Sequence, residues 1–88
     1  MLETTIEISN YPLTADYENQ ILDFIERVRS HSGIKIKVNA TSTHITGAFD
    51  TVFPILQQEI KSSYEKYGQM IFVVKVLKGA LDLDFEIH

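Results

Sequence analysis

The chain contains no cysteine, no tryptophan, two prolines and four glycines in 88 residues. Without cysteine there is no disulfide framework, no thiolate nucleophile and no Cys-ligated zinc or iron–sulfur site. Cations are scarce as well: eight Lys and Arg against twelve Asp and Glu give a net charge of −4. That balance argues against a nucleic-acid partner, whose phosphates call for a basic face. The longest apolar run is Met70 to Val74, far short of the roughly 20 residues of a membrane span. No charged-then-apolar signal segment opens the chain, so the expectation is a cytoplasmic protein with no membrane span. Neither low-complexity stretches nor Pro/Gly-rich linkers divide it, and residues 1–88 read as one domain, with a core over 4–78 and an extension over 79–88.

What is present is periodic. Thr4, Ile6 and Ile8 alternate with Thr5, Glu7 and Ser9, the period-two pattern of a strand with one apolar face, which Pro12 closes. Tyr17, Ile21, Phe24, Ile25 and Val28 recur at helical steps, with Thr14 or Asp16 as a cap and Gly33 as a left-handed stop. Ile34, Ile36 and Val38 form a second strand. A turn over residues 39–42 leads into a third strand over 43–48. Asp50 is placed to cap a second helix, with Pro54 in its first turn and Gly68 as its stop. Its expected buried stripe is Val52, Phe53, Leu56, Ile60, Tyr64 and Tyr67. Met70 to Leu77 is a fourth strand.

The order βαββαβ predicts an α+β, ferredoxin-like domain: a four-stranded antiparallel sheet with two helices on one face. The fourth strand is apolar on one side at Met70, Phe72, Val74 and Val76, and on the other at Ile71, Val73 and Leu77. A strand apolar on both sides expects cover on both, while the helices cover one. The predicted remedy is a homodimer or homotetramer through the open sheet face. In the extension, Leu81, Leu83, Phe85 and Ile87 alternate with Asp82, Asp84 and Glu86, the pattern of a possible extra strand. That segment either folds back over its own sheet or helps cover a seam between chains.

Catalytic constellations are scarce. His31, His44 and His88 are scattered, and no H-x-x-x-H or H-E-x-x-H spacing offers a metal site. His44 reads as structural or solvated rather than as a general base, and the acidic residues of the extension as a solvated face rather than a cation cage. No Gly-rich phosphate loop occurs. The expectation is no catalysis, no metal and no cofactor. Polar groups gather instead at Asn39, Thr41, Ser42, Thr43, His44 and Thr46, with Asn10 and Tyr11 at the end of the first strand. One reading is local turn hydrogen bonding. The other is a neutral, aromatic-edged pocket for a polar heterocycle.

The run Val38 to Asp50 resembles the strand–turn–strand of the YkoF-like thiamin/hydroxymethylpyrimidine-binding family, which also carries a Thr, an alternating apolar residue and a Gly entering the second helix. Tyr11-Pro12-Leu13 is similar to its Pro-Leu-Gly close of the first strand, with Thr14 in place of the glycine. Phe72 to Val76 is similar to its last strand, and the likeness spans residues 4 to 78. The acidic extension has no counterpart in that pattern. The resemblance implies a ferredoxin-like domain, used in tandem or assembled from separate chains. It also implies non-catalytic binding of thiamin or its pyrimidine precursor in vitamin salvage or transport.

Thiamin is a cation with a flat aminopyrimidine, which Asp50 or the general negative potential would favour. Asn10, Asn39, Ser42 and Thr43 could hydrogen-bond the pyrimidine, and Tyr11 or Phe53 could stack on it. The competing reading is a structural or regulatory oligomerisation module with another ligand or none.

Overall fold

The computed structural model describes residues 1–87. Its elements run β1 (Glu3–Pro12), α1 (Tyr17–Arg29), β2 (Ile34–Val38), β3 (Thr43–Ala48), α2 (Phe49–Tyr67) and β4 (Met70–Lys78). The strands form one antiparallel sheet in the order β2-β3-β1-β4. This is the ferredoxin-like α+β arrangement expected from the element order. β1 is central because its alternation is the strictest: Ile6 and Ile8 are buried, and they pair across β3 with Ile45 and Thr43. Phe24 and Val28 from α1 and Val52, Ile55 and Leu56 from α2 close over them. Burying these branched and aromatic side chains stabilises the fold by about 1.5–3 kcal/mol each.

Several local expectations need correction. Neither Asp16 nor any other side chain caps α1. Asp16 accepts a hydrogen bond from the Asn19 amide at 2.6 Å, and Thr14 Oγ1 accepts one from Gln20 at 2.9 Å, so both are taken by side chains. α1 ends at Arg29, before Gly33, whose φ of 82° turns the chain into β2 instead. The N-cap of α2 is Ala48, not Asp50. Pro54 therefore falls at the sixth helical position, past the first turn, and leaves the Asp50 carbonyl without its i+4 donor. The helix runs on to Gly68, where a φ of 86° and an N–H bond to the Tyr64 carbonyl end it as expected. On α2 the buried set is Val52, Ile55, Leu56, Glu59 and Ser63; Tyr64 is exposed at one edge.

Gly47 has a packing reason. A Cβ there would lie 3.0 Å from the Gly33 carbonyl oxygen and 3.3 Å from a Val52 methyl, so only glycine lets β3 approach the β2 entry and α2 this closely.

β4 is an edge strand, and its register explains its exposure. Val74 pairs with Ile8 and so shares the helix-facing side, whereas Val73 pairs with Ser9 and shares the open side. The helices cover Met70 and half-cover Phe72, but Val74, Val76, Ile71, Val73 and Leu77 are all exposed. The expected cover on both sides is not supplied within one chain.

The extension forms no strand over its described residues. It turns at Gly79 and folds back over the open face. Thr5 Oγ1 donates to the Gly79 carbonyl at 2.8 Å and accepts the Leu81 N–H at 2.9 Å, and Asp84 meets Lys37 of β2 at 2.9 Å. The alternation fails as a strand because Asp82 closes a turn instead, its side chain accepting the Asp84 N–H at 2.9 Å. Leu81 and Phe85 remain exposed on this strap. No helix among the described residues is long and apolar enough to cross a membrane.

Candidate functional site

At one end of the sheet β1 runs on past the last β3 pair, Ile8 with Thr43, while still paired with β4; the β2–β3 hairpin folds over, and the first turns of α1 face both. Between them lies a half-open cleft of about 330 Å³. Ile8, Asn10 and Pro12 come from β1, Tyr17, Ile21 and Ile25 from α1, and residues 38–43 from the hairpin. The hairpin is held by its own backbone, Asn39 N–H to the Ser42 carbonyl at 2.8 Å. The Ser9 hydroxyl, donating to the Thr41 carbonyl at 3.2 Å, ties it to β1.

Asn10 is the unusual member. It continues the inward series Thr4, Ile6, Ile8, so its side chain turns from the sheet toward the helices. Both polar atoms of its amide are buried and have no hydrogen-bond partner. An unmade hydrogen bond of this kind costs about 1–3 kcal/mol. Packing of the sheet on the helices gives no reason for an amide here.

The other expected site residues divide. Tyr11, Asn39, Ser42 and Thr43 border the same cleft as Asn10. The polar atoms of Asn39 and Ser42, however, turn toward His44 on the opposite sheet face, at 3.3 and 3.4 Å. Asp50 and Phe53 are elsewhere. They sit on α2 beyond the far end of β3, a strand of six residues or roughly 17 Å, where Phe53 stacks on Phe49 at 4.6 Å. One small ligand cannot touch both groups, so Asp50 and Phe53 do not belong with this cleft. Thr41, one of the polar hairpin groups, lines the cleft as well, whereas Tyr17 and Ile21 are lining residues the sequence reading missed. Tyr17 and Ile21 read as core stripe in sequence, and only the short hairpin leaves them partly uncovered.

On the open face, His44 Nε2 lies 2.9 Å from Glu7 Oε2. Facing a carboxylate, which accepts, Nε2 donates to Glu7. Ser42 and Glu7 thus address the same ring nitrogen, whereas a nucleophilic relay needs them on opposite nitrogens. Among the described residues no three His, Asp or Glu side chains gather as a metal site. His88 lies outside the described residues.

The hydrogen bond from His44, then the charge of Lys75, hold the Glu7 carboxyl below its usual value. The Lys37 hydrogen bond does the same for Asp84. At Asp23 desolvation pushes upward, but hydrogen bonds from Tyr67 and Arg27 and the charges of Arg27 and Lys66 outweigh it and the value is lowered. Lowered folded values mean that the unfolded chain takes up these protons first as pH falls. Their stabilisation is complete above the ordinary carboxylate range and is lost as pH drops through the folded values. The urea midpoint should hold between pH 7 and about 5 and decline below about 4. A midpoint that rises on acidification would contradict these pairings.

The fold and the cleft define a class: a ferredoxin-like α+β domain with a small-molecule-sized recess at the hairpin end of its sheet. Residues 3–77 match the model of the YKOF-related family, and the chain belongs to that family. Solved structures share the fold at low identity. A Streptococcus pneumoniae protein superposes with a TM-score of 0.81 at 20% identity, over 90% of this chain and 89% of its own. A provisional thiamine biosynthesis/salvage protein from Thermotoga maritima gives 0.75 at 18%, over 84% and 81%. A hypothetical protein from Methanocaldococcus jannascii gives 0.75 at 19%, over 98% and 87%. No curated protein sequence matches the chain.

Proposed function

We propose that this protein binds thiamin or its hydroxymethylpyrimidine moiety without transforming it, in salvage or transport of the vitamin. The observation that carries the reading is the unpartnered Asn10 amide, buried in the wall of a cleft of suitable size. A carboxamide offers a donor and an acceptor side by side, the complement of an amino group next to a ring nitrogen. Tyr11 and Tyr17 border the cleft and supply aromatic surface for a flat ring. Family membership and the thiamine-related description of the Thermotoga protein support the same choice. Calorimetric titration with hydroxymethylpyrimidine and with thiamin tests it. Heat of binding and a raised melting temperature are expected for both; no signal from either at millimolar concentration refutes the proposal.

Assembly is the second part of the reading. β4 offers a nine-residue apolar edge whose outer backbone groups have no neighbouring strand in the sheet. Its open side shows Ile71, Val73 and Leu77 beside the exposed Leu81 and Phe85 of the strap. A second copy covers this surface in a homodimer or homotetramer. The same surface favours the alternative of a structural or regulatory oligomerisation module, should the cleft prove empty of function. Val73→Lys places a charge on the open side and should reduce the mass seen by light scattering to that of one chain. A wild-type protein already monomeric at high concentration would exclude the assembly.

A further inference from the structure

The electrostatics of the cleft bear on which form of a ligand it accepts. Every described residue lining it is uncharged. Lys37, next to the hairpin in sequence, faces the other side of the sheet, where it is paired with Asp84 at 2.9 Å. The N-terminus of α1 borders the cleft at Tyr17, and such a terminus alone would attract an anion. Here it is flanked by two carboxylates, Asp16 before Tyr17 and Glu18 in the first turn. The chain as a whole carries −4. A phosphate group brought to this rim would find no guanidinium or ammonium to pair with and two carboxylates to repel it.

We infer that the cleft selects the unphosphorylated alcohol of its ligand and rejects the corresponding phosphate ester, an inference that rests on the aminopyrimidine reading above. Asn10 recognises the ring, which alcohol and ester share. The carboxylate-flanked rim distinguishes them. A cationic substituent is tolerated at the same rim, so the quaternary ring of thiamin is not excluded by the field that excludes phosphate.

The test is calorimetry with four probes: hydroxymethylpyrimidine, its monophosphate, thiamin and thiamin monophosphate. Each ester should bind about tenfold or more weakly than its alcohol, and the gap should narrow in high salt as the rim charges are screened. Esters that bind as tightly as the alcohols overturn the selectivity while leaving the aminopyrimidine reading intact. Silence from all four probes overturns that reading, and the selectivity with it. Glu18→Lys, at an exposed position outside the cleft lining, supplies the second measurement. It should raise ester affinity severalfold, leave the affinity of neutral hydroxymethylpyrimidine unchanged and lower that of cationic thiamin; an ester affinity that does not move refutes the electrostatic cause.

Discussion

Replacing Glu59 with leucine should destabilise the protein by about 3 kcal/mol, a large share of the roughly 5–15 kcal/mol typical of a domain. Glu59 is 4% exposed on α2, an acidic side chain in a largely apolar buried set. Its Oε1 accepts from Arg27 Nη1 at 2.7 Å and its Oε2 contacts His31 Nε2 at 2.7 Å. Arg27 also reaches the Glu59 carbonyl at 2.8 Å and the buried Ser63 hydroxyl. One carboxylate therefore joins two side chains of the α1 region to α2. Removing it leaves the guanidinium with Asp23 alone, at 3.1 Å, and takes the buried acceptor from both Arg27 and His31, and those lost charge-assisted contacts are the source of the cost. The double substitution Arg27→Met with Glu59→Leu should recover part of the loss, because the guanidinium leaves with its buried partner, while Asp23, Ser63 and His31 still each lose a contact. Urea denaturation followed by circular dichroism measures all three variants. A single substitution costing under 1 kcal/mol would show that the network is solvated rather than buried. The consequence reaches the cleft, since α1 carries Tyr17 and Ile21 in its wall.

The network also marks where sequence reading runs out. The periodicity of α1 and α2 located both helices, and alternation located β1 and β2, because each pattern reports which side of an element faces the core; β4 was legible as a continuous apolar run. A helical wheel places Arg27 and Glu59 relative to their own stripes, but only the packing of one helix on another makes them partners. The same limit separated the cleft from two of its expected members. Asn39, Ser42 and Thr43 were legible as a polar hairpin, and they adjoin Asn10 because β3 pairs antiparallel with β1. Asp50 and Phe53 follow the hairpin closely in sequence but lie across the length of β3 from it. Nearness along an extended strand is distance in space. β4 misled differently: apolar alternation on both sides reads as burial on both, but at the edge of a sheet it produces exposed surface that another chain can cover.

Asn10 had a sequence signal: an amide stands where the inward series of β1 calls for another apolar residue. Substituting it with leucine should raise stability and abolish binding in the same molecule. The two polar atoms that now lack partners would be replaced by methyl groups of similar volume, a gain of about 1 kcal/mol that denaturation should register as a higher urea midpoint. Ligand affinity should fall by about tenfold to a hundredfold, since the new side chain restores neither donor nor acceptor and leaves the bound heterocycle's polar edge unpaired. Opposite signs for the two measurements would mark a residue kept for binding at the expense of stability. If Asn10→Leu instead lowers the midpoint and leaves affinity intact, the amide has a structural partner, for instance an ordered water, and the cleft loses the observation on which its assignment rests.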